Sequence, residues 1–296
     1  MKSYRAWGIA CAAGGTLAFS LRPILIKLSY AAAPVSPITL IFLRMALSAP
    51  FFVAVGWWLR AQEPKLSARD WAKIAGLGLI GYYLASFLDF LGLQYIGAGV
   101  GRLILFLYPT LVLLLSFVFL DKKPTRRELT ALGTTYVGVA LVLSSQAAGV
   151  QGKLFLLGAA LVFASALFYA IYLVAGSQLI RRVGSMRFTA WSMAIATVPA
   201  VIQFFLLEPV SALALPADIW LYAITLATVS TVLPLFLQAE ALRRIGASEF
   251  ALIGALGPVS VAVTSALGLD APFTWLQALG GLLVIAGVLL VSIKRS

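Results

Sequence analysis

The chain has 296 residues, of which 62% are hydrophobic and 11% are charged, and its formal net charge at pH 7 is +12. A soluble domain of this length needs more polar surface than such a composition supplies, so the composition excludes a soluble globular protein. Histidine is absent and Cys11 is the single cysteine. This excludes a histidine and cysteine metal cluster as well as an internal disulfide, and we expect no metal or cofactor.

Ten apolar stretches follow one another along the chain, each near the roughly 20 residues that a helix needs to cross a bilayer. We call them segments 1 to 10, and they cover residues 6–29, 37–59, 71–94, 98–119, 127–145, 153–176, 187–207, 217–241, 247–268 and 273–293. Segment 1 lacks the cleavage pattern of a signal peptide and is expected to remain as a helix. The connections are short and leave no room for a soluble domain.

Most of the 22 basic residues lie on alternate connections: at the N-terminus, after segments 2, 4, 6 and 8, and at the C-terminus. The other connections hold Glu208, Asp218 and Asp270 instead. By the positive-inside rule, we expect both termini to be cytoplasmic and the chain to lie in the inner (plasma) membrane. Because the basic residues are spread over many short loops, they indicate a lipid bilayer as partner and do not indicate nucleic-acid binding.

The second half of the chain repeats the first at an offset of 149 residues, so that Ile96-Gly97-Ala98 falls on Ile245-Gly246-Ala247 and Pro109 falls on Pro258. We therefore predict a first repeat over residues 1–149 and a second over residues 150–296. Five spans in each repeat place the two in opposite orientations. The predicted fold is an all-α membrane protein of ten transmembrane helices in two inverted five-helix repeats, an architecture typical of secondary transporters.

Polar side chains follow a helical spacing in segments 3, 6 and 8. In segment 3, Tyr82, Ser86 and Asp89 share one helix face, and the repeat offset places Thr231 and Gln238 in segment 8 at the positions of Tyr82 and Asp89. A polar face turned toward lipid is costly, so we expect these residues to line a cavity inside the bundle.

Aromatic residues are the expected apolar walls of this cavity. Tyr169 and Tyr172 follow the same helical spacing in segment 6, and Trp191 in segment 7 is a further candidate. Together with Tyr82 they would bind a flat or apolar side chain, while hydroxyl groups and Gln238 bind polar ends. The alternative is that such rings pack the bundle or form the aromatic belt at the membrane interface. We expect that role for Tyr108, Trp57 and Trp58.

Five charged residues of the first repeat fall within the apolar segments and away from the basic connections, and such residues normally face a cavity or a partner. They are Arg22, Lys27, Arg44, Asp89 and Arg102. We expect Lys27 to extend toward the interface. Arg22 is deeper and is a candidate for binding a substrate carboxylate. Asp89 either carries a coupling proton or pairs with Arg102 across the hairpin of segments 3 and 4.

Two prolines occupy matching positions in segments 4 and 9, Pro109 and Pro258. A proline inside a helix removes one backbone hydrogen bond and kinks the helix. Bending at these two points is our candidate for the gate movement. A static kink is the alternative.

Several stretches resemble the EamA family of the drug/metabolite transporter superfamily. They are Leu93-Gln94-Tyr95-Ile96-Gly97-Ala98 leading into Leu107-Tyr108-Pro109, and Ala241-Leu242-Arg243-Arg244-Ile245-Gly246-Ala247 followed by Gly257-Pro258. The resemblance implies that segments 1, 3, 4, 6, 8 and 9 surround a central cavity, while segments 5 and 10 pack at the ends. Tyr82-Tyr83 and Tyr108-Pro109 are most similar to the YddG-like branch, whose members export aromatic and other neutral amino acids.

The sequence therefore favours a secondary transporter that exports neutral or aromatic amino acids, or similar small metabolites, by alternating access. An anionic metabolite, such as a phosphorylated sugar or a nucleotide-sugar, is the alternative cargo. It predicts cavity-facing lysines or arginines from both repeats, and the second repeat offers none. An intramembrane enzyme would need paired carboxylates or another catalytic set, and only Asp89 qualifies, so we expect no catalysis.

Overall fold

The computed structural model describes residues 2–61, 64–120, 125–144, 152–238, 240–241, 244–245 and 274–292. Within these ranges the regular secondary structure is helical, without a strand. Seven helices are long and apolar enough to cross a membrane: Tyr4–Ala32, Pro37–Ala61, Ala68–Gly92, Ala98–Phe119, Gly152–Gly176, Ser185–Leu207 and Ala217–Gln238. The prediction of a helical, multi-pass membrane protein is confirmed.

These seven helices correspond to segments 1 to 4 and 6 to 8. Segment 5 forms the helix Arg126–Ser144, and segment 10 forms the helix Trp275–Ser292 with a shorter apolar stretch at Ala278–Gly287. Segment 9 lies outside the described residues, and Pro258 with it.

Segments 1 and 4 are each divided into two helices. Segment 1 consists of Lys2–Ser20 and Arg22–Ala32, which meet at a turn at Leu21. Segment 4 consists of Ala98–Leu105 and Tyr108–Leu120. In both segments a proline is the second residue of the second helix, where a missing backbone N–H costs little. The kink predicted at Pro109 thus takes the form of a break between two half-helices.

Segments 3 and 8 each contain a wide π-helical turn at the same place in the repeat. In segment 3 the α-helix Ala68–Gly78 continues as the π turn Leu79–Leu84 and then as Ala85–Gly92. In segment 8 the helix Ala217–Ala227 continues as the π turn Thr228–Val232. The offset that relates the repeats takes Leu79 to Thr228. The two halves therefore share this rare distortion, which often marks functional sites in helices.

Close backbone contacts bring pairs of helices together. A methyl group added at Gly158 of segment 6 would lie 2.9 Å from the Gly92 carbonyl oxygen of segment 3. Segments 5 and 10 meet in the same way, because a methyl group at Gly138 would lie 2.5 Å from the Gly280 carbonyl oxygen. Small residues at such crossings allow two helix backbones to approach closely.

Polar contacts join the two repeats at both ends of the bundle. At one end Arg182 forms an ion pair with Asp70, and Arg187 donates a 2.8 Å hydrogen bond to the Pro64 carbonyl oxygen. At the other end, the Ser36 hydroxyl that caps the helix of segment 2 is hydrogen-bonded to Glu208 after segment 7. These contacts hold the repeats together above and below the interior.

Candidate functional site

A central cavity of about 130 Å³ lies between the two repeats. Segments 1 to 4 supply the charged part of its lining, and segments 6 to 8 supply neutral side chains. The charged residues are Arg22, Arg44, Asp89 and Arg102, and the aromatic ones are Phe19, Tyr82, Phe106, Tyr108 and Tyr169. Segments 5 and 10 contribute none of the described lining residues, as the family resemblance implied. Segments 2 and 7 do contribute, through Arg44 and Met193, which the resemblance did not imply.

The structure brings seven of the nine predicted cavity residues together in this lining. They are Arg22, Tyr82, Ser86, Asp89, Tyr169, Thr231 and Gln238. All three pairs related by the repeat offset meet there, because Leu235, the counterpart of Ser86, is also in the wall. The helical spacing in segments 3 and 8 therefore located one continuous surface.

The other two predicted residues lie elsewhere. Tyr172 lines a neighbouring cavity of about 210 Å³. Trp191 lines neither cavity, which corrects its prediction as a wall. Its indole packs over Gly56 of segment 2 and makes an edge-to-face contact with Trp71, with ring centroids 5.0 Å apart. Gly56 leaves the space that this large ring fills, so Trp191 joins helices instead of facing the interior.

The neighbouring cavity is mostly aromatic and apolar, with Ser185 and Thr189 as polar members of its wall. Its walls include Phe52, Tyr172, Leu173, Ile180, Met186 and Phe236, and it shares Tyr82, Tyr169, Leu235 and Gln238 with the central cavity. The Tyr172 hydroxyl donates to the Tyr82 hydroxyl at 3.3 Å, and the two rings meet edge to face with centroids 4.9 Å apart. The shared residues thus form a thin partition between a charged space and an aromatic one.

Ser86 and Asp89 organise two of the three arginines of the central cavity. Arg44 Nη2 donates to Ser86 Oγ at 2.9 Å. Arg22 Nη2 lies 3.2 Å from Asp89 Oδ2 and 3.4 Å from Ser86 Oγ. Both guanidinium groups also lie near the Phe90 ring, 5.4 and 5.5 Å from its centroid. A charged and hydrogen-bonded cluster therefore joins segments 1, 2 and 3 inside the bundle.

This arrangement corrects the expected pair between Asp89 and Arg102. The carboxylate of Asp89 is taken by Arg22, because the second half of segment 1 begins at Arg22 and directs that side chain into the cavity. Arg102 lies over aromatic rings, with its Cζ 4.6 Å from the Phe19 centroid and 5.5 Å from the Phe106 centroid. Within the part of the chain that the structure describes, no hydrogen bond or ion pair joins the Arg102 guanidinium to another residue.

Sequence reasoning assigned Tyr108 to packing or to the interfacial belt, whereas the structure places it in the cavity wall. Its ring meets that of Tyr169 edge to face at 5.3 Å. The break at Phe106 and Leu107 restarts the helix at Tyr108, so a face extrapolated from the first half of segment 4 does not hold for the second. Arg44 was identified as an intramembrane charge, and that was the available signal for its place in the cavity.

A bundle of membrane-spanning helices with a charged and aromatic cavity inside it is typical of a membrane transporter. Comparison with known proteins agrees. The chain belongs to the EamA-like transporter family, whose model matches residues 6–144 and again residues 156–293.

Among curated proteins, the chain is 28% identical over 275 residues to "Uncharacterized transporter YcbK" of Bacillus subtilis, covering 90% of this chain and 86% of that one. It is 29% identical over 218 residues to "Uncharacterized transporter YyaM" of the same organism, covering 73% and 71%. A solved structure superimposes with a TM-score of 0.67 over 96% of each chain at 18% identity, which shows a shared fold. The protein is thus a membrane transporter for small molecules.

Proposed function

We propose that this transporter is a secondary carrier that exports neutral or aromatic amino acids, or similar small metabolites, by alternating access of its two repeats. The observation that carries the proposal is the lining of the central cavity. Tyr82, Ser86 and Asp89 of segment 3 face it together with their counterparts Thr231, Leu235 and Gln238 of segment 8. A site built from equivalent positions of two repeats is the arrangement in which rocking of one repeat against the other exposes a ligand alternately to each side.

Size and polarity favour a small molecule with an aromatic or large apolar part. The charged lining of the central cavity suits a compact polar group, and the neighbouring cavity of about 210 Å³ offers Phe52, Tyr172 and Phe236 to an apolar one. Flat rings recognise other flat or apolar groups through their faces and edges. The two spaces side by side therefore match the two ends of an aromatic amino acid.

The proposed topology is that of ten transmembrane segments in two inverted repeats, at residues 1–149 and 150–296, with both termini in the cytoplasm. The distribution of basic residues supports this orientation. The breaks in segments 1 and 4 supply points at which half-helices can move relative to each other, and Pro109 marks one of them. Pro258 is the proposed equivalent in segment 9.

One observation favours the second candidate cargo, an anionic metabolite. Three arginines and a single carboxylate face the central cavity. All three arginines belong to the first repeat, whereas an anion bound between two symmetric halves would be expected to draw cations from both. The three arginines therefore favour a cargo with one acidic group over a large polyanion.

Efflux from proteoliposomes tests the proposal. The purified protein is reconstituted, the vesicles are preloaded with radiolabelled phenylalanine, leucine, alanine or lysine, and efflux is followed with and without a pH gradient. We expect phenylalanine and leucine to leave faster than from protein-free vesicles, and lysine to leave no faster. Efflux of every amino acid at the rate of protein-free vesicles would contradict the proposal.

A further inference from the structure

We propose that Arg102 forms an anion subsite in the central cavity, which binds the carboxylate, or an equivalent oxyanion, of the transported molecule. The apolar part of that molecule then occupies the neighbouring aromatic cavity. The inference rests on the proposed transport function and specifies which chemical group the carrier recognises.

The charges in the lining of the central cavity are not balanced. The lining of the central cavity holds three guanidinium groups and one carboxylate, which leaves an excess of two positive charges. The carboxylate, Asp89, is already in contact with Arg22. Charges removed from water are stable only when they are paired and hydrogen-bonded. A ligand with a negative group supplies the negative charge that the described residues around the cavity lack.

Arg102 differs from the other two arginines of the cavity in its polar partners. Arg22 and Arg44 have hydrogen-bond or ion-pair partners in Asp89 and Ser86. Arg102 is 93% buried, since only 7% of it is exposed, and its buried Nε has no hydrogen-bond partner among the described residues. Its guanidinium lines the cavity. The Nε atoms of Arg22 and Arg44 also lack a partner, but both of those groups are engaged through Nη2, so Arg102 is the one of the three with no hydrogen bond or ion pair to a described residue.

The guanidinium group of Arg102 is suited by its own chemistry to bind an oxyanion. Its planar fork of N–H donors matches a carboxylate or phosphate with two parallel hydrogen bonds, which are among the strongest in proteins. The faces of Phe19 and Phe106 hold the group from the side through cation–π contacts. These contacts orient Arg102 without using its N–H groups. The site is therefore arranged before an anion arrives.

The central cavity, which Arg102 lines, adjoins the aromatic cavity. Both cavities share Tyr82, Tyr169, Leu235 and Gln238, and Tyr169 also touches Tyr108 of the Arg102 segment. A ligand with an acidic head at Arg102 reaches the aromatic cavity across this partition. The inferred substrate is an amphipathic organic acid, of which an aromatic amino acid is one case.

Thermal unfolding of the purified full-length protein in detergent tests the subsite without requiring transport. The probes are phenylpropionate, its neutral amide phenylpropionamide, and phenyl phosphate. We expect both anions to raise the melting temperature and the amide to leave it unchanged. The larger of the two anion shifts identifies carboxylate or phosphate as the preferred group. Equal stabilisation by the amide, or no stabilisation by either anion, would overturn the subsite.

Variants assign the effect to Arg102. Arg102→Gln should weaken binding of the preferred anion by at least about 30-fold, because a buried charge pair loses one partner. The melting temperature without ligand should change little, because removal of an unpaired buried charge offsets the loss of the cation–π contacts. Arg102→Lys should keep the preference for anions over the amide. Lys27→Gln, which removes a charge from the same repeat outside the cavity lining, should bind as the wild type does. Anion stabilisation that survives Arg102→Gln would overturn the assignment.

Transport in proteoliposomes separates this inference from the transport proposal. If the anions bind through Arg102 but no compound crosses the membrane of proteoliposomes, the subsite stands and the transport proposal fails. If phenylalanine and phenylalaninamide are exported at equal rates, transport stands and the anion subsite fails.

Discussion

Segments 3 and 8 occupy equivalent places in the two repeats, yet they carry different chemistry. Both contain a π turn, and both face the central cavity with three residues at matching positions. In segment 3 these are Tyr82, Ser86 and Asp89, and in segment 8 they are Thr231, Leu235 and Gln238. The backbone distortion is duplicated, whereas the charge is confined to one copy.

The π turns show what the two copies still share. A π turn leaves carbonyl oxygens without their usual helical partners, and in segment 8 side chains take them: Thr231 Oγ1 donates to the Leu226 oxygen at 2.7 Å. In segment 3 the equivalent residue, Tyr82, contacts the adjacent helix of segment 6 and is hydrogen-bonded to Tyr172 there. At this position, the side chain in the second repeat is hydrogen-bonded within its own helix, whereas the side chain in the first repeat is hydrogen-bonded to a different helix. The charged part of the central cavity lining thus comes from the first repeat, and the second repeat contributes neutral side chains to it.

The largest effect is expected at Asp89. Asp89→Asn removes the only carboxylate among the described lining residues and leaves Arg22 buried without its partner. The protein should lose roughly 3–5 kcal/mol of stability, the usual cost of breaking a buried ion pair. Adding Arg22→Gln should restore much of the loss. Unfolding of the single and double variants in detergent measures both effects.

The matched control lies in segment 8. Gln238→Ala changes the equivalent residue but removes no charge, so its effect on stability should be much smaller than that of Asp89→Asn. Similar losses at both positions would show that the two segments do not differ in the way proposed.

Proton coupling is a separate property of Asp89. If its carboxylate carries the coupling proton, the Asp89→Asn, Arg22→Gln double variant should exchange substrate across the membrane while its net efflux no longer responds to a pH gradient. Exchange needs the moving carrier but no net proton transfer. Gradient dependence equal to that of the wild type would remove Asp89 from the coupling mechanism.

A smaller effect is expected where segment 3 packs on segment 7, just before the π turn. A methyl group at Gly78 would lie 2.6 Å from the Ser192 carbonyl oxygen. Gly78→Ala should therefore force the helices apart at a cost of about 1–3 kcal/mol. Gly76→Ala, two residues earlier, would place its methyl group within 4 Å of no described atom of another helix, so it should be neutral or stabilising, because alanine favours a helix. Equal effects at the two glycines would contradict the close contact.

The smallest effect on stability is expected for the hydroxyl groups of the π turns. Tyr82→Phe removes the hydrogen bond to Tyr172 and should cost about 0.5–1.5 kcal/mol. Because Tyr82 stands in the partition between the two cavities, the efflux rate should change more than the stability does. Thr231→Val removes a hydroxyl that bonds within its own helix, so its efflux rate should stay closer to that of the wild type. A larger change in efflux rate for Thr231→Val than for Tyr82→Phe would contradict the place of Tyr82 between the two cavities.

The sequence was sufficient for the faces of regular helices. The spacing of Ser86 and Asp89 placed both in the cavity, and the repeat offset extended the prediction to Thr231 and Gln238 because the duplicated turns preserve the register. The interruptions were not visible in the apolar pattern. The turn at Leu21 directs Arg22 to Asp89, and the break before Tyr108 brings that ring into the cavity wall.

The rotation of a whole helix about its axis was the second feature that the sequence did not predict. Trp191 and Arg44 lie on apolar segments with little periodicity, so their sequence did not indicate which side faced inward. Trp191 is held by the space above Gly56 and by Trp71, and Arg44 is held by Ser86. Each of these partners belongs to another segment, and pairing between segments is set by packing in three dimensions.

Access to Leu235 from the two sides of the membrane tests the central claim most directly. A Leu235→Cys variant in a Cys11→Ser background places one thiol in the cavity wall, and a membrane-impermeant thiol reagent is applied to right-side-out and to inside-out vesicles. The account predicts labelling from both sides, slowed in each case by added phenylalanine. Labelling from one side only, at a rate that phenylalanine leaves unchanged, would contradict a carrier whose cargo passes between its two repeats.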